Sequence, residues 1–235
     1  MSAMVGVENV SKAYRTGGGQ VRALDDVTLE VGPGEFTAVQ GPSGCGKTTL
    51  LLTVGGLLRP DGGSVRVDGE DIYALAPEDR AAFRATTIGF VFQQFHLVPY
   101  LTVLDNVLSP TLALPDANAR VRAMELLERF SISTRATHTP GELSTGERQR
   151  VALARAMLQK PRVILADEPT GNLDEDNAAE VLRALTDFAD SGGIVLLVTH
   201  DHSAASQAQN IVHLRDGRLL DEPPARTRQT ARTPG

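Results

Sequence analysis

The part of this 235-residue chain that most constrains its fold is residues 41–49, which read GPSGCGKTT. They carry almost no apolar side chain and cannot build a hydrophobic core. An apolar run, EFTAVQ (35–40), precedes them, and a second, TTLLLTVGGLL (48–58), overlaps their end. The first run is typical of a buried strand and the second of a helix. The sequence therefore predicts a strand, a glycine-rich loop and a helix in direct succession.

Gly41, Gly46, Lys47 and Thr48 fit the pattern G-x-x-x-x-G-K-[S/T], the P-loop. In such a loop backbone N–H groups surround phosphate oxygens, and the following helix adds the positive end of its dipole. Lys47 would face the β- and γ-phosphates, and Thr48 would offer its hydroxyl to Mg²⁺. A glycine-rich turn without a ligand is the alternative, and the flanking strand and helix argue against it. The residues predicted to bind the phosphates are Gly41, Pro42, Ser43, Gly44, Cys45, Gly46, Lys47, Thr48 and Thr49.

Apolar runs alternate with helical patterns, which predicts an α/β protein with a mostly parallel sheet. The runs at 35–40, 163–167 and 193–199 are almost continuously apolar, as strands buried on both faces are. Residues 210–217 and 218–221 are predicted to form a closing hairpin with its turn at Asp216-Gly217. Residues 87–93 form a further candidate strand. Residues 5–14, 23–31 and 63–69 are expected to form an antiparallel β piece.

Between residues 94 and 160 the pattern is helical. In ANARVRAMELLERF (117–130), Val121, Met124, Leu127 and Phe130 recur every third residue and are predicted to form one buried face. Residues 146–159 predict a second helix. We therefore expect one domain at 1–222, with its core at about 1–93 and 161–222 and an inserted helical subdomain at about 94–160. Residues 223–235, rich in Pro, Arg and Thr, are expected to be disordered.

Two acidic residues end the apolar run in RVILADEPT (162–170). Asp167 would lie at the carboxyl end of a buried strand, where α/β sheets bind ligands, and is predicted to hold Mg²⁺. Glu168 would orient or deprotonate the attacking water. Helix capping is the alternative role for such a pair.

The segment ELSTGERQRVALARAM (142–157) resembles the signature motif of ABC ATPases, written LSGGQ. The other landmarks of that family follow in order over about residues 4–222. Gln93 matches the Q-loop, GNLD (171–174) the D-loop and VTHD (198–201) the H-loop with His200. Tyr14 matches the aromatic residue that stacks on adenine. The resemblance implies a P-loop NTPase core with an inserted α-helical subdomain.

The resemblance also implies ATP and Mg²⁺ as cofactors and a head-to-tail homodimer in the ATP-bound state. Each ATP then lies between the P-loop of one subunit and the signature motif of the other, where Ser144 and Gly146 bind it and Asp174 crosses the interface. His200 and Gln93 join Glu168 as catalytic residues, and Gln93 joins Thr48 and Asp167 at the metal. A His200-x-His202 metal pair is a weaker alternative, since further ligands are lacking nearby.

Two positions depart from the family pattern. The signature reads LSTGE, so that Thr145 replaces a glycine and Glu147 replaces a glutamine. We expect the Glu147 carboxylate to point away from the partner's nucleotide into solvent. Cys45 lies within the P-loop, where it is either a reactive thiol or a small residue that fits.

Composition limits the remaining choices. The net charge of −6 argues against nucleic acid as a partner, and no apolar run approaches the ~20 residues that span a bilayer. With one cysteine and no signal-peptide pattern, we expect a cytoplasmic protein whose membrane part is a separate chain.

Three segments resemble ATPases of lipoprotein-release, macrolide-export and FtsX-like permeases: YRTGGGQVRALDDVTLEV, IGFVFQQFHLVPYLTVLDNV and TGNLD. The resemblance implies a membrane permease as partner, a peripheral location on the inner face of the cell membrane, and an export or mechanotransmission role. A soluble ABC ATPase of DNA repair or ribosomes and a P-loop kinase are the alternatives. The predicted permease contact, which could instead be core packing, is Phe95, Leu97, Val98, Tyr100 and Leu101.

Overall fold

The structure of the protein is a computed structural model that describes residues 5–17, 19–112 and 115–220. The strands in these ranges are β1 (Val5–Thr16), β2 (Gly19–Val31), β3 (Phe36–Gln40), β4 (Gly62–Val67), β5 (Glu70–Asp71), β6 (Ile88–Phe92), β7 (Val163–Asp167), β8 (Ile194–Thr199), β9 (Asn210–Arg215) and β10 (Arg218–Leu220). The helices are α1 (Lys47–Val54), α2 (Pro77–Thr87), α3 (Val103–Leu108), α4 (Ala119–Arg129), α5 (Thr145–Met157), α6 (Glu175–Asp190) and α7 (His202–Ala205). Short 3₁₀ turns lie at Ser109–Leu112, Ser133–Arg135 and Pro140–Glu142.

Two sheets form the framework. The larger has the strand order β10-β9-β3-β8-β7-β6, and its pairs are parallel except for β10 with β9. The smaller is antiparallel with the order β2-β1-β4-β5. The prediction of an α/β fold with a mostly parallel sheet and a separate antiparallel piece is confirmed.

Hydrophobic packing covers the larger sheet on both faces. All residues of β3 and β8 are buried, as the continuous apolar runs predicted. Consecutive side chains of a strand point to opposite faces, so Ala166 packs with the helical cluster that includes Leu153 and Leu185. Leu165 packs on the other face with Leu50 of α1 and the antiparallel sheet.

The parallel strands bring the loops that follow them to one edge of the sheet. In the ladder, Gln40 of β3 is paired with Thr199 of β8, and Asp167 of β7 is paired with Val198 of β8. The loop after β3, the acidic pair at the end of β7 and the histidine after β8 therefore emerge side by side. Open α/β sheets bind ligands at this edge.

The closing hairpin forms as predicted. Arg218 pairs with Arg215 across the turn, and Asp216 and Gly217 both have positive φ, 49° and 80°. This is the conformation that a two-residue hairpin loop requires. The predicted tail at 223–235 lies outside the described residues.

The described residues between β6 and β7 form helices and loops only. α4 and α5 confirm the two predicted helices within one or two residues at each end. The division of the domain at residues 94 and 160 stays a prediction. In the described part of the chain, none of the helices is both long and apolar enough to cross a bilayer.

The predicted apolar face of α4 was partly wrong. Val121 is 62% exposed, whereas Ala119, Ala123 and Leu127 are buried. An α-helix turns ~100° per residue, so positions three apart fall ~60° short of a full turn. The three steps from residue 121 to residue 130 therefore carry the repeat about halfway around the helix. The buried face instead follows a four-residue spacing, which stays on one side.

This difference gives a test within one helix. Leu127→Ala should lower the free energy of unfolding by about 2–5 kcal/mol, because a fully buried side chain is removed and leaves a cavity. Val121→Ala should change it by less than about 0.5 kcal/mol, because the side chain is exposed. Urea unfolding followed by circular dichroism measures both, and equal losses would contradict the assigned face.

Candidate active site

The glycine-rich loop ends at Gly46, which begins α1 with φ of 110°. A Cβ at Gly46 would overlap the carbonyl oxygen of Ala23 on β2, so the position requires glycine for both reasons. α1 has no side-chain N-cap, and its first helical hydrogen bond runs from Leu50 N to Gly46 O at 2.9 Å. The N–H groups of the first turn, at Lys47 and Thr48, therefore remain available to an anion.

Lys47 lies inside the loop, with 7% of its surface exposed. Its Nζ donates to the carbonyl oxygens of Gly41 at 2.8 Å and Pro42 at 3.1 Å, and lies 3.8 Å from Glu168 Oε1. The loop thus holds a positive charge at the end of the strand that precedes it.

The two acids after β7 have different surroundings. Asp167 Oδ1 accepts a hydrogen bond from Thr48 Oγ1 at 3.3 Å. Burial, followed by the nearby charge of Glu168, raises the pKa of Asp167 above its usual range even though that hydrogen bond lowers it. A cation near Asp167 would relieve both effects.

Glu168 is fixed by its neighbours. It has a φ of 46°, and its N–H donates to Val198 O at 2.9 Å. Its Oε1 lies 2.8 Å from His200 Nδ1, and its Oε2 accepts from Thr199 Oγ1 at 2.8 Å. The carboxylate is 13% exposed, so it is held in one orientation at the edge of the sheet.

Lys47 and Glu168 line a cavity of 450 Å³. Asp167 does not line it but contacts Thr48, which does. The lining of the cavity brings together the loop, the Q-loop glutamine, the acid and the histidine: Ala23, Ser43, Gly44, Gly46, Lys47, Thr48, Thr49, Gln93, Glu168 and His200. Gly41 and Pro42 take part through the carbonyls that hold Lys47. The dimensions suit a small ligand, and the bare loop indicates one that binds through phosphate oxygens.

Tyr14 and Cys45, both predicted to bind the nucleotide, are not among the residues that line this cavity. Tyr14 is 39% exposed near the end of β1, with Lys12 Nζ 6.0 Å from its ring centroid. Cys45 is 6% exposed and belongs to the same core cluster as Leu24 and Leu50. This burial favours packing over a reactive thiol.

The signature segment also lies outside the cavity. Ser144 caps α5: its Oγ accepts from Glu147 N at 3.2 Å, and its own N–H donates to Glu147 Oε2 at 2.7 Å. Ser144 and Thr145 are exposed, and Gly146 is buried. A Cβ at Gly146 would overlap the side-chain amide of Asn177 on α6, so a larger residue here would have to displace that amide.

The expectation that Glu147 points into solvent was wrong. Its side chain is 19% exposed, and Oε1 accepts from Arg135 Nε at 3.1 Å. The backbone hydrogen bond from Ser144 and then the contacts with Arg135 outweigh burial and lower the pKa of Glu147. A capping box and an ion pair therefore hold this carboxylate against the start of α5.

Asp174 begins α6. Its carboxylate accepts from Asn177 N at 2.9 Å and from Asn177 Nδ2 at 2.8 and 2.9 Å. These hydrogen bonds lower the pKa of Asp174. The Asn177 amide in turn accepts from Arg150 on α5 at 2.7 Å, so the D-loop and the signature helix are linked.

Thr199 is a further residue at this site, to which the sequence motifs assigned no role. Its hydroxyl donates to Glu168 and accepts from Asp201 N at 3.0 Å, which couples the acid to the loop of His200. The available signal was a hydroxyl residue directly before the histidine at the end of a buried strand.

The sheet, the phosphate-binding loop, the oriented acid and a signature-like helix start define a P-loop ATPase of the ABC class. A family profile described as "ABC transporter" matches residues 24–171. The chain is also 47% identical to the lipoprotein-releasing system ATP-binding protein LolD 1 of Rhodopirellula baltica, over 92% of this chain and 96% of that protein. The chain therefore belongs to the ABC transporter family and is an ATP-binding, ATP-hydrolysing subunit. The P-loop kinase alternative is thereby excluded.

Other similar proteins are also ABC transporter proteins or cassettes. The chain is 43% identical to the macrolide export ATP-binding/permease protein MacB 1/2 of Paracoccus denitrificans, over 99% of this chain but only 35% of that longer protein. The dimeric structure of MJ0796, a bacterial ABC transporter cassette, superposes with a TM-score of 0.88 at 38% identity, covering 94% of this chain and 99% of that one. A second MJ0796 structure is a dimeric post-hydrolysis state bound to ADP and phosphate, with the same TM-score, identity and coverage.

The arrangement around Glu168 predicts a separation of binding from turnover. Glu168→Gln should lower kcat by about 100-fold or more, because an amide cannot accept a proton from water, while ATP affinity is retained. Phosphate release and nucleotide titration measure the two properties. Glu30→Gln, an exposed position on β2, is the control. Turnover near that of the parent chain in Glu168→Gln would remove Glu168 from this role.

Proposed function

We propose that this chain is the ATPase subunit of an export or mechanotransmission transporter related to the lipoprotein-releasing and macrolide-export systems. It works as an ATP-bound head-to-tail homodimer that drives a separate membrane permease. The proposed dimer is supported by one observation: Ser144 and Thr145 at the start of α5 are exposed and lie outside the cavity that Lys47 lines. The permease would hold the chain on the inner face of the membrane, with no role for nucleic acid.

Mg²⁺ fits the donor set beside the loop. Thr48 and Asp167 offer a hydroxyl and a carboxylate 3.3 Å apart, and hard cations prefer such oxygens. The described residues contain no group of three or more His, Cys, Asp or Glu side chains placed to bind a metal. This suits Mg²⁺, which keeps several water ligands and shares a nucleotide's phosphates. When bound, the ion would offset phosphate charge, and Gln93 on the cavity wall would be a further oxygen ligand.

Glu168 would act as the base. Thr199 and His200 each contact one oxygen of its carboxylate, so little reorganisation is needed before it accepts a proton from water. Lys47 and the first N–H groups of α1 would bind the β- and γ-phosphates. His200, which is exposed and lines the cavity, would contact the γ-phosphate. Its contact with Glu168 Oε1 would link the phosphate to that carboxylate.

The second half of the site would come from another copy. At the start of α5, Ser144 Oγ accepts a backbone hydrogen bond, so its hydrogen can be donated to a phosphate oxygen. The N–H groups of Thr145 and Gly146 are the first two of the helix and add to the same anion-binding end. The dimeric MJ0796 cassettes support this arrangement by their likeness to the chain.

A mixing experiment tests the head-to-tail arrangement. Ser144→Arg should abolish ATP-driven dimerisation and turnover, because a bulky cation replaces the hydroxyl that must meet the partner's γ-phosphate. ATP binding to each monomer should persist, since Lys47 and Thr48 are unchanged. Lys47→Ala should instead lose ATP affinity.

In a mixture of the two variants, both defects fall in the same composite site of the heterodimer and the other site is intact. Recovered ATPase activity on mixing would indicate independent sites, and no recovery would indicate sites that act together. Full activity of Ser144→Arg alone would contradict the head-to-tail dimer.

The surface that best fits the permease is an apolar groove of 360 Å³ beside the edge strand β6. It is lined by Leu57, Ala81, Arg84, Ala85, Ile88, Gly89, Phe90, Pro110, Arg155, Ala156, Gln159 and Pro161. The five side chains predicted for this contact do not line it. Leu97 packs against the core, and Tyr100 is 81% exposed.

Two guanidinium groups border this groove. Arg84 donates to Gly56 O at 3.3 Å, and Arg155 donates to the carbonyls of Phe95 and His96 at 2.7 Å. Burial lowers the pKa of both arginines, and within the described ranges neither has a carboxylate within 4.0 Å. An amphipathic permease helix with an acidic residue would supply apolar contact and the missing negative charge.

Substitution at the rim of the groove tests this contact. Leu57→Asp should leave basal ATPase activity close to that of the parent chain and strongly reduce the response to a reconstituted permease, because it places a charge on the apolar surface. Leu57 is 48% exposed, so the fold should tolerate the change. Val121→Asp on α4, 62% exposed, is the matched control. Permease stimulation that survives Leu57→Asp would place the contact elsewhere.

A further inference from the structure

The signature segment of this chain carries an acid where the proposed dimer would place a phosphate. Glu147 occupies the third position of α5, and its carboxylate accepts from Ser144 N, the residue that would meet the partner's γ-phosphate. Its other oxygen contacts Arg135, which ends the 3₁₀ turn Ser133–Arg135. The proposed anion site thus contains a negative and a positive side chain in direct contact.

The Arg135–Glu147 pair sets the net charge at the start of α5. The N-terminal end of a helix carries roughly +0.5 of an elementary charge. An ionised Glu147 adds a full negative charge in that first turn, which would leave the end of α5 net negative, about −0.5. The guanidinium of Arg135 returns the sum to about +0.5. Without Arg135 the same helix end would repel a phosphate.

Arg135 has one carboxylate in direct contact, although the hydrogen bonds from Thr139 and, to a lesser degree, the charge of Arg135 lower the pKa of Glu142. Among the described residues, Glu147 is the carboxylate that lies within 4.0 Å of it. The nearby acid Glu142 is held by Thr139, whose N–H and hydroxyl both donate to it. His138 Nε2 lies 3.4 Å from Arg135 Nη1.

We propose that Arg135 is a positioning residue of the signature motif. It neutralises Glu147 and thereby lets the start of α5 accept the γ-phosphate of an ATP molecule held by a second copy of this chain. Glu147 still completes the capping box that fixes the Ser144 hydroxyl. This inference rests on the head-to-tail dimer proposed above.

The test measures ATP-driven dimerisation by sedimentation in a Glu168→Gln background, where turnover does not consume the nucleotide. A charge contact of this kind changes affinity by up to about fivefold. Arg135→Ala should therefore weaken the dimer by up to about 25-fold, since a dimer has two such sites. ATP affinity of the monomer, measured with a fluorescent nucleotide, should stay unchanged.

The decisive variant is the double substitution Arg135→Ala/Glu147→Gln. A glutamine can still accept the N–H of Ser144 but carries no charge, so dimerisation should return to within about twofold of the parent chain. Such a return would show that the loss in Arg135→Ala comes from the uncompensated charge of Glu147. Arg129→Ala, which removes an exposed arginine of α4 paired with Asp187 at 3.6 Å, is the control and should have no effect.

Three results would overturn the inference: a dimer of Arg135→Ala as strong as that of the parent, a double variant as weak as the single one, or an equal loss of monomer ATP affinity. Failure of the underlying dimer gives a different pattern. In that case the Glu168→Gln parent does not dimerise with ATP, or Ser144→Arg dimerises as well as the parent.

Discussion

The pairing of β8 with β3 on one side and β7 on the other is the constraint on which the site depends. It puts the ends of three strands in register, so that a loop, an acid and a histidine lie close enough for direct contacts between Glu168 and both Lys47 and His200. Thr199, the last residue of β8, adds the local connection by bonding to Glu168. The position of the cavity thus depends first on the order of the strands and only then on contacts between side chains.

The sequence was most informative where the chemistry is local. The bare loop, Lys47 and the acids at the end of β7 are each recognisable from a few neighbouring residues, because each depends on one strand end. The structure brings them together as the order of the strands requires. The continuous burial of β3, β7 and β8 was predictable for the same reason.

What the sequence did not show depends on contacts between distant segments. Arg135 and Glu147 are twelve positions apart, and no pattern links them, so the outward direction expected for Glu147 was wrong. Val121 was misplaced because a three-residue spacing was taken as a helix face. Thr199 and the pairing of Gly146 with Asn177 likewise depend on how separate elements pack.

The amide of Asn177 has a wider consequence. It fills the space that Gly146 leaves open and also holds Asp174, so the beginnings of α5 and α6 are fastened to each other. We expect two helices joined at their starts to move together. In the proposed dimer, the start of α5 would contact one nucleotide and the loop of Asp174 would face the partner, so both would move with the same pair of helices. Release of a phosphate at one nucleotide site would then affect the other site through a rigid rotation of α5 and α6, without a series of small local rearrangements.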